Sequence, residues 1–257
     1  MKKFSKQKPL SSSGAFWIYG LHAVHAALEN PKRRCNQLIY LSDEIYRSIE
    51  IILGKRTLTC HKVDKAEFQK IFPGDAVHQG IALQIFPLEH VALEKILQND
   101  APDITIATLD QITDPQNLGA IARSAAAFGI QALIMPDRHT PCETSAIFYK
   151  SASGALEHIS LIYVVNLAHT LEQLRHAGFW NLGFDERGEK KLTGSDLTGR
   201  INLVLGSEGE GLRRLTRERC DLLIQLPTTK KFSTLNVSNA ATVAFYEACR
   251  QRKDNTP

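Results

Sequence analysis

From Phe16 onward the chain alternates short apolar runs with longer stretches whose apolar residues recur at helical spacing. Trp17-Ile18-Tyr19 leads through Gly20 into a helical stretch that closes near Asn30-Pro31. Gln37–Leu41, Leu58–Val63 and Ile81–Phe86 read as strands, and Asp43–Leu53 and Glu67–Phe72 as helices. These elements make a small α/β domain over residues 16–87. Ahead of it, residues 1–15 are Lys- and Ser-rich without periodicity, which predicts a disordered basic arm. Behind it, Pro87 closes the domain, and residues 88–103 read as a linker with one amphipathic piece at Val91–Leu97.

Past Pro102 the rhythm becomes a regular alternation of strand and helix. Strands are expected at Ile104–Leu109, Ala132–Met135, Leu161–Val165, Trp180–Phe184, Ile201–Leu205 and Leu222–Leu226. Helices are expected at Asn117–Phe128, Thr144–Ser153, Leu167–Ala177, Arg213–Arg219 and Leu235–Arg252. Such alternation predicts a parallel sheet covered on both faces, here over residues 104–257. The polar stretch Asp185–Arg200, with Gly188, Gly194 and Gly199, reads as a long loop.

In sheets of this kind ligands lie outside the carboxyl ends of the strands. Two strands in the second half end at polar turns. Ile201–Leu205 runs into Gly206-Ser207-Glu208-Gly209-Glu210-Gly211, and Leu222–Leu226 is followed by Thr234-Leu235-Asn236-Val237-Ser238-Asn239 at the head of the last helix. The glycines are either plain turn formers or a means of close backbone approach to a ligand, and spacing alone does not choose. Their order, G-x-x-G-x-G, is not that of a dinucleotide-binding turn.

A third stretch, Asp114-Pro115-Gln116-Asn117-Leu118-Gly119, opens a helix with Asn117 as a plausible N-cap. The body of that helix is small and apolar except for Arg123, one α-turn beyond Gly119. Arg123 either reaches solvent along its stem or holds a phosphate or a substrate hydroxyl at the strand-end crevice. Glu208 is a solvated loop charge or a partner for Arg123 and substrate. Helix capping accounts for Thr234 and Ser238, and less well for Asn236.

Composition narrows the function classes. With 43% hydrophobic and 23% charged residues the chain can bury an ordinary globular core. It has no run of about 18 apolar residues and no apolar stretch near its start, so a cytoplasmic location is expected. Five scattered cysteines without a C-x-x-C pair suggest neither a disulfide framework nor a zinc site, and no metal is expected. A net charge of +4 permits a polyanionic partner. Its distribution strengthens that reading: Lys2, Lys3, Lys6 and Lys8 form a basic tail, Lys32-Arg33-Arg34 a basic loop, and Lys230-Lys231 a pair beside the candidate site. P-loop, G-x-S-x-G and H-E-x-x-H motifs are absent.

Taken together, Asn117-x-Gly119-x-x-x-Arg123, Leu205-Gly206-Ser207-Glu208-Gly209-x-Gly211, and Leu226-Pro227 followed by Thr234-Leu235-Asn236-Val237-Ser238 resemble the three motifs of the SpoU/TrmH branch of the SPOUT RNA methyltransferases. In the front domain, Ile18-Tyr19-Gly20-x-His22-Ala23-Val24 and His78-Gln79-Gly80-Ile81-Ala82 resemble that family's substrate-binding domain. The resemblance implies a C-terminal domain with a deep trefoil knot, S-adenosylmethionine as cofactor, and a homodimer whose site borrows from both subunits. It also implies transfer of a methyl group to a ribose 2′-hydroxyl, of a guanosine in 23S rRNA by the closest likeness.

Carried over residue by residue, the resemblance gives Arg123 the ribose hydroxyl. It has Asn117 and Glu208 hold that arginine and the substrate, and puts Thr234 and Asn236 at the reacting centre. Leu205, Gly206, Leu226, Thr228 and Leu235 are similar to the positions around the cofactor. Two departures stand out: Thr228-Thr229-Lys230 replaces the family's usual Met-x-Gly, and Thr234 replaces a serine. The same reaction on tRNA, and a catalytically silent RNA-binding or ribosome-assembly protein, are the other readings. The front domain, at roughly seventy residues a comfortable small folding unit, favours rRNA by the same resemblance, because the tRNA enzymes of that branch often lack it and use short terminal extensions.

Overall fold

The structure is a computed structural model that describes residues 14–54, 56–72, 77–138, 144–229 and 235–254. Residues 1–13 of the expected N-terminal arm lie outside these residues, as do Lys230, Lys231 and Thr234. The chain divides into two units, Met1–Glu89 with Glu143–Lys150, and His90–Cys142 with Ser151–Pro257. Among the described residues no helix is long and apolar enough to cross a membrane.

The first unit is built on a four-stranded sheet of β1 (Phe16–Tyr19), β2 (Cys35–Tyr40), β3 (Thr59–Lys62) and β4 (Ile81–Ile85) in the order β1-β4-β2-β3. β4 runs antiparallel to both neighbours and β2 pairs parallel with β3. Three helices connect them: α1 (Leu21–Glu29), α2 (Asp43–Leu53) and α3 (Lys65–Ile71). The last two start at side-chain caps, with Ser42 accepting from the Ile45 amide and Asp64 from the Glu67 amide, whereas α1 starts at Gly20 without one. Tyr19, Ile39, Phe68, Phe72 and Ala82 pack together as a core cluster.

Of the basic loop Lys32-Arg33-Arg34, the middle residue does not face solvent. Arg33 is 1% exposed, and its guanidinium donates to the Phe86 carbonyl oxygen at 2.8 Å. A buried guanidinium must find acceptors inside the protein, so this charge braces the chain. Arg34 remains at the surface, stacked over the Phe86 ring.

The second unit holds seven strands, all parallel, in the order β7-β6-β5-β10-β8-β11-β9. They are β5 (Ile104–Asp110), β6 (Ala132–Pro136), β7 (Ser160–Val164), β8 (Trp180–Phe184), β9 (Lys190–Lys191), β10 (Arg200–Gly206) and β11 (Leu222–Gln225). Every residue of β5 is buried, as a central strand covered on both faces requires. Its helices are α4 (Leu93–Leu97), α5 (Pro115–Ala127), α7 (Leu167–His176), α8 (Arg214–Glu218) and α9 (Val237–Asp254), while α6 (Ala146–Ala152) lies mostly in the segment Glu143–Lys150 of the first unit. Within the stretch read as a linker, α4 buries Ile96 in the core of this unit, with Val91, Leu93 and Leu97 packed around it.

Two features of this sheet depend on side chains far apart in sequence. Across the buried strands, Thr108 Oγ1 donates to Asn202 Oδ1 at 2.9 Å, Asn202 Nδ2 to Asn181 Oδ1 at 2.9 Å, and Asn181 Nδ2 to the Leu171 carbonyl at 3.0 Å. Each polar group thus meets a partner, and the chain of bonds fixes β5, β10 and β8 relative to one another. At the sheet edge the expected loop contributes the two-residue strand β9. It is held there because Gly188 lies so close to β11 that a Cβ would come within 2.7 Å of the Ile224 carbonyl carbon. Gln225 Nε2 also donates to the Gly188 carbonyl at 2.8 Å.

Candidate active site

The site begins where β5 gives way to α5. Asp114 is the N-cap, its side chain accepting from the Gln116 amide at 3.1 Å, and Pro115 occupies the first helical position. Asn117, expected as the cap, therefore lies inside the first turn with its amide free for a tertiary role. Its Nδ2 donates to Glu208 Oε1 at 3.1 Å.

Glu208 is carried by the turn that leaves β10. The turn doubles back on itself: Ser207 and Gly211 form a bridge, with the Gly211 amide donating to the Ser207 carbonyl at 3.0 Å. A Cβ on residue 206 would lie 2.2 Å from the Gly211 carbonyl carbon and 2.4 Å from the Leu212 nitrogen, so only glycine permits the crossing. Gly209 and Gly211 take positive φ angles of 90° and 68°. The glycines are thus required by the loop's own closure.

Asn236 comes from the third stretch and does two jobs. Its carbonyl accepts from the Ala240 amide and its Oδ1 from the Ser238 amide at 2.9 Å, which makes it the N-cap of α9. The capping role that its sequence position left doubtful is therefore real. Its Nδ2 points the other way, donating to Glu208 Oε1 at 2.6 Å and to Asn117 Oδ1 at 3.1 Å.

The Val237 amide adds a further donor to Glu208 Oε1 at 3.3 Å. One carboxylate oxygen thus gathers donors from α5 and from the head of α9, each such bond to a charged group contributing about 1.5–3 kcal/mol when buried and less at this exposed turn. Glu208 Oε2 has no hydrogen-bond partner among the described residues, and the residue is exposed.

Arg123, two turns along α5 from Pro115, is exposed. Among the described residues its guanidinium makes neither a hydrogen bond nor an ion pair, so the expected pairing with Glu208 or Asn117 is not formed. Leu205 is buried at the end of β10, and Leu226 and Thr228 follow β11, the Thr228 amide donating to the Leu226 carbonyl at 2.8 Å. Leu235 exposes 42% of its surface just ahead of Asn236. Thr234 lies outside the described residues.

The basic helix α8 is electrostatically quiet. Arg213 pairs with Asp110, Arg214 with Glu218, Arg217 with Asp185 and Arg219 with Glu172, at 2.7–2.9 Å. Burial pushes the Asp185 carboxyl up, but hydrogen bonds and charge from Arg187 together with the Arg217 charge outweigh it and hold it below the usual carboxylate range. Burial and the neighbouring Asp221 and Asp110 carboxylates push the Cys220 thiol up to about 12, which makes it an inert core group.

Sequence reasoning assigned no role to Asp110. This residue is fully buried at the end of β5, directly opposite Gly206 in the β5–β10 register. Its carboxylate accepts from the Arg213 amide at 3.0 Å and from Arg213 Nε at 2.7 Å. Its signal in sequence is faint: one aspartate ending an apolar strand reads as the start of a turn.

Residues 17–91 match the family described as RNA 2′-O ribose methyltransferase substrate binding. The 23S rRNA (guanosine-2′-O-)-methyltransferase RlmB of Pseudomonas putida is 38% identical over 240 residues, 92% of this chain and 96% of its own length. The enzyme of the same name from Escherichia coli K12 is 39% identical over 246 residues, 91% of this chain and 98% of its own. Among solved structures, the SpoU methyltransferase AviRb from Streptomyces viridochromogenes in complex with AdoMet superposes with a TM-score of 0.80 at 24% identity, covering 95% of this chain and 92% of that one, which speaks for the fold. Residues 105–246, more than half of the chain, match the SpoU rRNA Methylase family, and the chain belongs to that family.

Proposed function

We propose that this protein transfers a methyl group from S-adenosylmethionine to the 2′-hydroxyl of a guanosine ribose in 23S rRNA. The observation that carries the reading is the meeting of Asn117, Glu208 and Asn236, residues from three separate stretches, on one carboxylate oxygen beside the ends of β5 and β10. The likeness to the two RlmB enzymes over nearly the whole chain supports the choice of ribose, guanosine and 23S rRNA.

The residues present fit the cofactor. Adenine is a neutral, flat group suited to backbone bonds and apolar contact, which Leu226, Thr228 and the exposed Leu235 at these strand ends offer. A sulfonium is a cation, and Glu208, which forms no ion pair among the described residues, supplies negative charge nearby. When bound, S-adenosylmethionine supplies a methyl group already activated for transfer to an oxygen nucleophile.

The chain's own part is positioning and charge. Glu208 Oε2 accepts a hydrogen bond from the substrate, while Oε1 holds Asn117 and Asn236 in place. Arg123 stays protonated, because a guanidinium releases its proton only far above neutral pH. It therefore stabilises the oxygen as the hydroxyl proton passes to solvent water at this exposed site, and does not itself remove that proton.

The same reading includes a homodimer, a trefoil-knotted C-terminal unit and a cytoplasmic location. On α9, Val243 and Tyr246 expose 43% and 53% of their surface beside α5, an apolar face suited to a second copy. The insertion of β10 between β5 and β8, with α9 packed back on α5, is compatible with a knotted path. Incubation with methyl-labelled S-adenosylmethionine tests the activity: label enters unmodified 23S rRNA, and transfer to tRNA alone would overturn the substrate assignment.

A further inference from the structure

We propose that Asp110 is a positioning residue for the reaction, because its buried carboxylate closes the loop that carries Glu208 and thereby sets where Glu208 meets Asn117 and Asn236. This rests on the functional reading above but adds a residue to it.

The loop leaves the sheet at Gly206 and ends at Arg213, the residue before α8. Its outgoing leg is fixed by the β10 ladder, in which Gly206 lies opposite Asp110. Its return leg is fixed by the same aspartate, which takes both the backbone amide and Nε of Arg213, at 3.0 and 2.7 Å. One fully buried residue therefore ties both ends of an eight-residue turn, Gly206 to Arg213, to a central strand: its backbone through the ladder and its carboxylate through Arg213. Glu208 lies within that ring.

Asp110 also stands at the head of the segment that leads through Gln111, with its positive φ of 57°, to the Asp114 cap and Asn117. The two side chains that must meet, Glu208 and Asn117, are thus referred to one point in the sheet. A carboxylate is suited to this. It takes a backbone donor and a guanidinium donor on separate oxygens, Oδ2 and Oδ1. Arg213 is 45% exposed, so its charge does not need Asp110 for solvation. A role confined to neutralising Arg213 would leave the burial of Asp110 unexplained.

Asp110→Asn keeps the size and removes the charge and one acceptor. Two measurements on the full chain test the proposal: kcat and KM for methyl transfer to an rRNA fragment, and the side-chain amide signals of Asn117 and Asn236 in a 15N-asparagine-labelled sample. Misplacing a reacting group by ~1 Å costs on the order of 10²-fold, so kcat is expected to fall about 10–100-fold while KM moves less than about threefold. Both amide signals shift, because their acceptor Glu208 has moved.

Arg213→Lys, which keeps the charge and the backbone bond but loses the Nε donor, shifts the same signals less and carries the test if Asp110→Asn does not fold. Unchanged amide signals in a folded variant overturn the proposal, as does a wild-type kcat. A wild-type protein inactive on RNA would sink the functional reading instead, and the amide test of Asp110 would still stand.

Discussion

Asn236 joins the cap of the last helix to the carboxylate of Glu208, donating from Nδ2 at 2.6 Å while its Oδ1 holds the Ser238 amide at 2.9 Å. Only an amide side chain offers a donor and an acceptor in these two directions. Asn236→Asp keeps the cap and sets a like charge against Glu208. Methyl transfer is therefore expected to fall at least about 100-fold, the scale of losing an oriented polar contact at a reacting centre. Asn236→Ala loses the cap as well and costs about 1 kcal/mol of stability. Turnover paired with chemical denaturation separates the two effects, and wild-type turnover in the Asp variant contradicts the assigned role.

Arg123 gives a different signature. Its guanidinium makes no hydrogen bond or ion pair among the described residues, the cofactor-side positions included, so Arg123→Ala is expected to leave S-adenosylmethionine affinity within about threefold in calorimetry. Loss of a charge that stabilises the forming alkoxide lowers kcat by about 10²–10³-fold. Equal losses in cofactor binding and in turnover would place Arg123 with the cofactor instead.

Gly206→Ala tests the loop itself. The added methyl would meet the Gly211 and Leu212 backbone at 2.2–2.4 Å, and backbone cannot yield as a side-chain tip can. The expected cost is about 1–3 kcal/mol, the range for overpacking, read as a lower urea midpoint at unchanged slope. A midpoint equal to wild type would mean that the crossing of the loop is looser than described.

Asp185 makes stability depend on pH in the acid range. Its folded-state carboxyl lies below the usual range, so the stability it contributes is fully present above its unfolded pKa of about 3.9 and is lost as pH falls through the lower folded value. Asp185→Asn should therefore be less stable than wild type at pH 7, with the difference shrinking below about pH 4. A pH-independent difference would show that the loss is packing and not charge.

Much of this was legible in the sequence, for physical reasons that can be named. The apolar runs of β5, β10 and β11 and the polar turns after them sit where strand ends must leave a covered sheet, and α2 follows its Ser42 cap to the residue. What escaped depends on groups brought together only by the fold. Arg33 looks like surface charge until β4 delivers the Phe86 carbonyl to it. β9 exists because Gly188 admits the β11 backbone. Asp114 takes the cap that Asn117 could also have served, since both residues are good caps and only the tertiary partner of Asn117 decides. Asp110 acquires its role from a strand register no local pattern carries.

The most direct test of the central claim is to map the methyl group. Unmodified 23S rRNA is incubated with the protein and labelled S-adenosylmethionine, digested, and the labelled nucleotide identified. The account predicts a single 2′-O-methylguanosine, absent with Arg123→Ala. Label on a base, or on the ribose of a nucleotide other than guanosine, would contradict it.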